Sequence, residues 1–364
     1  MTTTTGDRIL NFSAGPATLP EPVLRQAQTD LWNIDGSGIG ICEHSHRGPV
    51  FDTVLQETVE DCRKVGNIPD EFEILFLQGG ASLQFAMLAM NFIGDGQTAN
   101  YLDTGVWTTK AIKEAKKIGN VHVAFDGSTC NYDHCPQDNE IDAIDGASYM
   151  HYCSNNTIYG TRFANAPTSN APMICDMSSD IFSRAINWKN HDMVYAGAQK
   201  NLGPSGTVLV VIKKTLLDAC PSGLPSTLDY SAIAAKGSRL NTPPTFGIYL
   251  MGQVFKWILA EGGLREMELR NERKAGMIYH ALDSNSDFYT TFARECCRSR
   301  MNIAFKTRSP ELDASFLEES AKLGMSGLKG HRDLGGLRSS IYNAFPEDGC
   351  ARFAEFLESF AATH

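Results

Sequence analysis

No run of 18 apolar residues occurs in the 364-residue sequence and no apolar leader opens it, so neither a membrane-spanning helix nor a secretory signal is expected. Basic residues are in deficit. Against 42 Asp and Glu stand 32 Lys and Arg, a formal charge of -10 and a pI near 5.4. That balance excludes a general nucleic-acid or anionic-membrane surface, because those partners require a basic face. It leaves room for a local arginine pocket that takes a small anion. Two phosphate-cofactor motifs are missing as well: there is no Gly-x-Gly-x-x-Gly after a strand and no Gly-x-x-x-x-Gly-Lys-[Ser/Thr], so dinucleotide and P-loop sites have no support. The ten cysteines form no disulfide framework. Cys130 and Cys135 come nearest to metal spacing but lack a second Cys/His pair, so no metal site is expected and the thiols read as reduced and cytoplasmic.

What is present describes a globular chain of about two domains. Hydrophobic residues make up 42 % and charged residues 20 %, too apolar a mix for disorder. The opening Thr2 to Thr5 run reads as a solvated tail. Asn11 to Pro20 is broken by Gly15, Pro16 and Pro20 and predicts an extended arm ahead of a helix near Val23 to Trp32. Phe72 to Leu77 predicts a buried strand, closed by Gly79-Gly80 and followed by a helix over Ser82 to Met90. Six more short apolar runs follow: Ala99 to Leu102, Val121 to Phe125, Ser148 to Cys153, Pro172 to Cys175, Met193 to Ala196 and Thr207 to Ile212. Seven strands between helical or irregular connectors predict an α/β fold around one large, mostly parallel sheet. Beyond about residue 255 the pattern becomes a smaller α+β unit. Its helices are expected at Leu264 to Leu282, Ala314 to Leu323 and the C-terminus, its strands at Met301 to Phe305 and Leu337 to Tyr342. In the last helix Cys350, Phe353, Phe356, Leu357 and Phe360 share one face, so it should pack.

Several positions could carry chemistry. Lys200 follows a strand in the small-residue loop Ala198-Gln-Lys-Asn-Leu-Gly-Pro-Ser-Gly206, where a ligand at the carboxyl ends of a parallel sheet would meet it. A plain loop lysine is the other reading. Asp176 ends the strand Pro172-Met-Ile-Cys-Asp and is either the cap of the next turn or a functional charge. A pyridinium cofactor needs a lysine for its Schiff base and a carboxylate at its ring nitrogen, and this pair supplies both. Gly79-Gly80-Ala81-Ser82 opens a helix whose N–H groups could cradle one phosphate, or is a bare tight turn. Trp107 follows a strand and could stack on a ring or fill the core. Thr157 could reach a ring hydroxyl or close an asparagine-rich turn. His46-Arg47, His331-Arg332 and Arg338 offer bidentate clamps for carboxylate and phosphate, or surface ion pairs.

Six segments together resemble the phosphoserine aminotransferase family: Asn11 to Pro20, His46-Arg47-Gly48, Leu77 to Phe85, Ala198 to Gly206, Asn241-Thr-Pro-Pro-Thr-Phe-Gly-Ile-Tyr249 and Gly335-Gly-Leu-Arg-Ser-Ser-Ile-Tyr-Asn-Ala344. They lie in family order over nearly the whole chain. The resemblance implies a fold-type I transferase dependent on pyridoxal 5′-phosphate, with an arm (residues 1–20) joining a small domain (256–364) and a large cofactor domain (21–255). It implies Lys200 as the Schiff-base lysine, Asp176 at the ring nitrogen, Trp107 stacking and Thr157 at the ring hydroxyl. Ala81, Ser82 and Gln199 would hold the cofactor phosphate, joined by Asn241 and Thr242 from the second subunit of a homodimer. Arg338 would clamp the substrate α-carboxylate. His46 and Arg47 of the neighbour, with His331 and Arg332, would receive the side-chain phosphate or carboxylate. Some members carry arginine where this chain has Ser82. The reaction implied is reversible ping-pong transfer of the amino group of L-glutamate to 3-phosphohydroxypyruvate, giving O-phospho-L-serine and 2-oxoglutarate. A cysteine desulfurase on the same fold would need a nucleophilic cysteine near the cofactor, and a binding protein that kept only the fold would not need Lys200, Asp176 and Arg338.

Overall fold

Twelve strands, numbered β1 to β12 in chain order, form three sheets among residues 8–364, which the computed structural model describes. The Thr2 to Thr5 run lies outside those residues. Seven apolar segments of four to seven residues build the large sheet: β2 (Phe72–Gln78), β3 (Thr98–Asp103), β4 (Asn120–Asp126), β5 (Met150–Cys153), β6 (Met173–Asp176), β7 (Met193–Gly197) and β8 (Thr207–Lys213). Their order is β2-β8-β7-β6-β5-β3-β4. All pairs are parallel except those that β8 makes with β2 and β7. The seven expected strands are therefore all present, in a mostly parallel sheet.

Helices cover both faces, which is why the strands read as continuous apolar runs rather than alternating ones. Along β8, Val208, Val210 and Ile212 join one core with Phe85, Leu88 and Ala111. Leu209 and Val211 point the other way, into a core shared with Phe51, Leu55, Met251 and Phe255. The first layer comes from helices Ala81–Phe92 and Val106–Ala115, the second from Pro49–Gly66 and Thr245–Ala260.

The smaller unit joins β9 (Thr290–Thr291), β10 (Asn302–Lys306) and β12 (Leu337–Ser340) in an antiparallel sheet. The N-terminal arm enters it. Its β1 (Leu10–Asn11) pairs in parallel with β11 (Met325–Ser326), and Phe12 sits against Phe345 and Phe353. In the last helix, Glu347–Thr363, all five residues expected on one face are buried. Ile258, Leu264 and Met267 belong to the large core, whereas Ala275 and Ile278 belong to the small one. The cores thus change over inside helix Gly263–Ser284. Among the described residues no helix is long and apolar enough to cross a membrane.

Candidate active site

The parallel strands end on one edge of the sheet, and a cavity of about 350 Å³ opens there. Its walls include Gly79, Gly80, Ala81, Ser82, Trp107, Asp176, Gln199 and Lys200. Because β8 runs back antiparallel beside β7, the connecting loop 198–206 turns over this edge and carries Lys200 to the cavity. The loop is pinned by its own backbone, Gly203 N donating to Ala198 O at 2.8 Å. It is also pinned by Asn201, whose Nδ2 donates to Ile181 O at 2.6 Å and whose Oδ1 accepts from Asn343 N at 2.9 Å.

Lys200 Nζ donates to Thr157 Oγ1 at 2.6 Å and lies 5.3 Å from the centre of the Trp107 ring. Burial lowers its affinity for a proton and the Arg338 cation adds to that, while Asp176 opposes both. Asp176 is buried at the end of β6. Its Oδ1 accepts from Ser178 N at 2.8 Å and from Ser178 Oγ at 2.6 Å, so it does close the following turn. It also lines the cavity, and the two readings of this residue are compatible. Burial raises its pKa and Lys200 pulls it back.

At the other end, Gly79 and Gly80 adopt φ of 106° and 75°, a region open cheaply only to glycine. A Cβ on Gly79 would also come within 2.6 Å of Leu83. The turn starts helix Ala81–Phe92 with no side-chain cap, leaving first-turn N–H groups at the cavity without an intrahelical partner. Gln199 Oε1 and Trp107 Nε1 are buried with no hydrogen-bond partner. Groups in that condition cost free energy unless a ligand meets them. Trp107 is set by its own loop: Asp103 Oδ1 accepts from Thr108 Oγ1 at 2.8 Å, and Asn156 Nδ2 donates to Thr104 O at 2.8 Å.

Arg338, on β12, adjoins the site from the smaller unit. Its Nη1 donates to Thr157 O at 3.3 Å, its Nε is buried without a partner, and among the described residues it forms no ion pair. Burial lowers its proton affinity. Thr157 therefore meets Lys200 with its hydroxyl and Arg338 with its carbonyl.

The remaining expected residues lie outside the cavity within one chain. Arg47 is exposed, and its Nε donates to His46 Nε2 at 3.2 Å. Arg332 is exposed beside Asp333. His331 is half-buried, and burial together with Arg338 and Arg332 weakens its hold on a proton, against Asp333. Asn241 contacts Gln78 at 3.5 Å across a separate hollow of about 110 Å³, and Thr242 is exposed next to it.

Sequence reasoning missed several wall residues. Gly15 and Pro16 of the arm reach the cavity, and a Cβ on Gly15 would lie 3.2 Å from Lys200 Cγ. The Gly-Pro pair was visible as a turn, but nothing in it told which element the turn would touch. Cys153 also lines the wall. It donates to Asn155 O at 3.3 Å, and burial keeps its thiol protonated, which does not suit a nucleophile. Away from the site, Cys130, Asp133 and His134 bring three potential metal-ligand atoms within 4.8 Å of one another. There Asp133 is paired with Arg294 and His134 contacts Glu140, and no further group points to an ion.

Comparison with known proteins agrees with this geometry. The class-V aminotransferase family matches residues 9–353. The phosphoserine aminotransferase of Desulfotalea psychrophila is 46 % identical over 358 residues, covering 98 % of this chain and 99 % of its own. The structure of the Bacillus circulans subsp. alkalophilus enzyme superposes with a TM-score of 0.96 at 45 % identity, over 98 % of this chain and 99 % of that one. A pyridoxal-phosphate-bound phosphoserine aminotransferase from Trichomonas vaginalis gives 0.92 at 36 % identity, over 96 % and 100 %. With its aminotransferase fold and a lysine, a carboxylate and an uncapped helix around one cavity, the chain belongs to the phosphoserine aminotransferase family of class-V aminotransferases.

Proposed function

We propose that this chain transfers the amino group of L-glutamate to 3-phosphohydroxypyruvate, reversibly and by a ping-pong course, giving O-phospho-L-serine and 2-oxoglutarate. The observation that carries the reading is one cavity holding the Lys200 amine and the Asp176 carboxylate, with an uncapped helix start at one end and unpaired Arg338 at its rim. The cofactor is pyridoxal 5′-phosphate. When bound it supplies an aldehyde that captures amines and a ring that draws electrons from the amine-bearing carbon.

The Ala81 and Ser82 N–H groups, at the uncapped helix start, would hold the phosphate, with Gln199 adding its side-chain amide N–H. Trp107 would stack on the ring, Thr157 would meet its hydroxyl, and Asp176 would keep its nitrogen protonated. Lys200 would hold the aldehyde, and its amine, once released, would take the proton from the substrate Cα and return it. Burial lowers its proton affinity in the cavity, which favours the neutral amine that a base requires. Arg338 receives the substrate α-carboxylate. His331 and Arg332, with His46 and Arg47 of a second subunit, receive the phosphate or the second carboxylate. Asn241 and Thr242 reach the cofactor phosphate across the same homodimer.

Of the three-part division into 1–20, 21–255 and 256–364, the joining of the arm to the small unit is supported by the β1–β11 pairing, whereas 255 falls inside helix Thr245–Ala260 and the cores change over later, within helix Gly263–Ser284. Ten free thiols support a cytoplasmic location. The test is borohydride reduction of the holoenzyme followed by peptide mapping, which should find the cofactor mass on Lys200. Lys200→Ala should bind cofactor without turnover, and label on another lysine would overturn the assignment.

A further inference from the structure

Cys296 and Cys297 lie in a short 3-10 turn, Glu295–Cys297, outside the site described above. Their sulfurs are 3.6 Å apart, far beyond the ~2.0 Å of a disulfide. Cys296 is exposed and Cys297 is buried behind it. The buried sulfur is held in place: Cys135 N donates to it at 3.4 Å. Hydrogen bonds from the Cys135 side chain and backbone keep the Cys297 thiol well below its ordinary pKa, against the effect of burial. The backbone is anchored on both sides, Arg162 N donating to Cys297 O at 2.8 Å and Arg294 N to Asp133 O at 2.8 Å. The buried sulfur and the turn that carries both cysteines are therefore fixed in place.

An atom bonded to two sulfurs at about 2.3 Å, with the angle of roughly 90–105° that pyramidal trivalent arsenic adopts, sets them ~3.3–3.7 Å apart, which brackets the separation found. Soft centres select thiolate over oxygen donors. We propose that Cys296 and Cys297 form a vicinal dithiol site that captures a trivalent organoarsenical through both sulfurs. With an arsenic oxide, both S–H bonds and the arsenic–oxygen bonds break, two arsenic–sulfur bonds form and one water leaves. Arsenic stays trivalent, so no oxidant or reductant takes part. The pair is built for chelation, because one sulfur is reachable for the first bond and the other is already positioned for the second.

The probe is phenylarsine oxide added to the reduced holoenzyme, read by intact-mass spectrometry. One phenylarsenic per chain, with two thiol hydrogens lost, should survive excess 2-mercaptoethanol and leave on adding a small dithiol. Because the second bond is intramolecular, retention should exceed that of a single-thiol adduct by about 100-fold. Cys296→Ser, at an exposed position, should lose the retained adduct, and Cys297→Ala should do the same. Cys42→Ser, which removes the other exposed thiol, should keep it. Near-ultraviolet circular dichroism establishes that each variant is folded, and Cys296→Ser decides alone if Cys297→Ala is not. A retained adduct in Cys296→Ser, or a wild-type adduct that the monothiol removes, would overturn the proposal.

Discussion

Arg338 is a guanidinium with a buried, unpartnered Nε and no carboxylate within ion-pair distance among the described residues. A group in that condition awaits an anion, since an unmet charge-assisted hydrogen bond forgoes about 1.5–3 kcal/mol. Arg338→Ala should therefore lower capture of every amino-acid substrate by roughly ten- to a hundred-fold in kcat/KM. Arg47→Ala should impose that loss on phosphoserine and glutamate, which carry a second anion, while leaving the poor donor alanine unchanged. Equal losses for all three donors would show that Arg47 does not receive side chains. Asp176 faces a different demand. Burial alone raises its pKa, so the carboxylate is best kept ionised by a cation such as a protonated ring nitrogen. Asp176→Ala should slow Cα proton abstraction, read as a slower pre-steady-state amino-transfer phase with its Cα-deuterium effect fully expressed, far more than it weakens cofactor retention. Near-normal turnover would remove Asp176 from the chemistry. Asp176 and Lys200 were legible as candidates because one ends the strand β6 and the other lies in the loop just beyond its neighbour β7, so strand adjacency brings them together, although only the family resemblance chose Lys200 over a plain loop lysine. Gly15, Pro16 and Cys153 were not, because what brings them to the cavity is tertiary packing rather than local pattern.

The strand ends position the site, but the small unit must hold its arginine in place, and a single buried lysine ties the two halves of that unit together. Lys274, on helix Gly263–Ser284, donates to Ile341 O at 3.0 Å, Tyr342 O at 2.7 Å and Phe345 O at 3.3 Å. These carbonyls form the turn that follows β12, the strand of Arg338. Lys274→Met would remove this donor from all three, leaving Tyr342 O only the bond from Phe345 N, and a loss of about 1–3 kcal/mol in stability is expected. The effect should depend on pH. Burial lowers the amine from 10.5 to about 8, so between those values the unfolded chain binds more protons than the folded one. The penalty of burying the charge is complete below pH 8 and gone above 10.5. Wild-type stability should thus rise against that of Lys274→Met across this window, by at most about 1.4 kcal/mol per pH unit. Denaturant unfolding of both proteins at several pH values measures it, and a flat difference would mean that the three carbonyls keep the amine charged throughout. Such a lysine is invisible in the sequence, where it sits among charged residues of an amphipathic helix. Helix Thr245–Ala260 escaped notice for the opposite reason. It is apolar nearly all round, burying Ile248, Tyr249, Leu250, Met251, Val254 and Phe255, and so shows no 3.6-residue alternation. The seven strands were read correctly since sheet burial on both faces leaves short apolar runs with glycine or charge at their ends.

One chain brings Lys200, Asp176, Trp107, Gln199 and the glycine turn to a single cavity, yet leaves His46, Arg47, Asn241 and Thr242 on its outside. The segment that leads up to the first two exposes three large apolar side chains: Trp32 is 84 % exposed, Leu31 46 % and Ile39 40 %. Exposed apolar clusters of this sort mark interaction surfaces, and the proposed homodimer covers this one with a second copy. An isologous interface would then carry Arg47 of each chain to the site of the other. None of this can be read from spacing, since sequence distance says nothing about contacts between two copies. It can be tested by complementation. Lys200→Ala chains, inactive alone, and Arg47→Ala chains, weakened roughly ten- to a hundred-fold toward phosphoserine, are mixed under conditions that exchange subunits. If the sites are shared, each heterodimer has one site with both lesions and one with neither, and activity should return toward half that of a wild-type dimer. If each chain builds its whole site alone, every site in the mixture keeps one lesion. Heterodimers verified by mass that recover no activity would therefore rule out the shared site and return Arg47 to the role of a surface cation paired with His46.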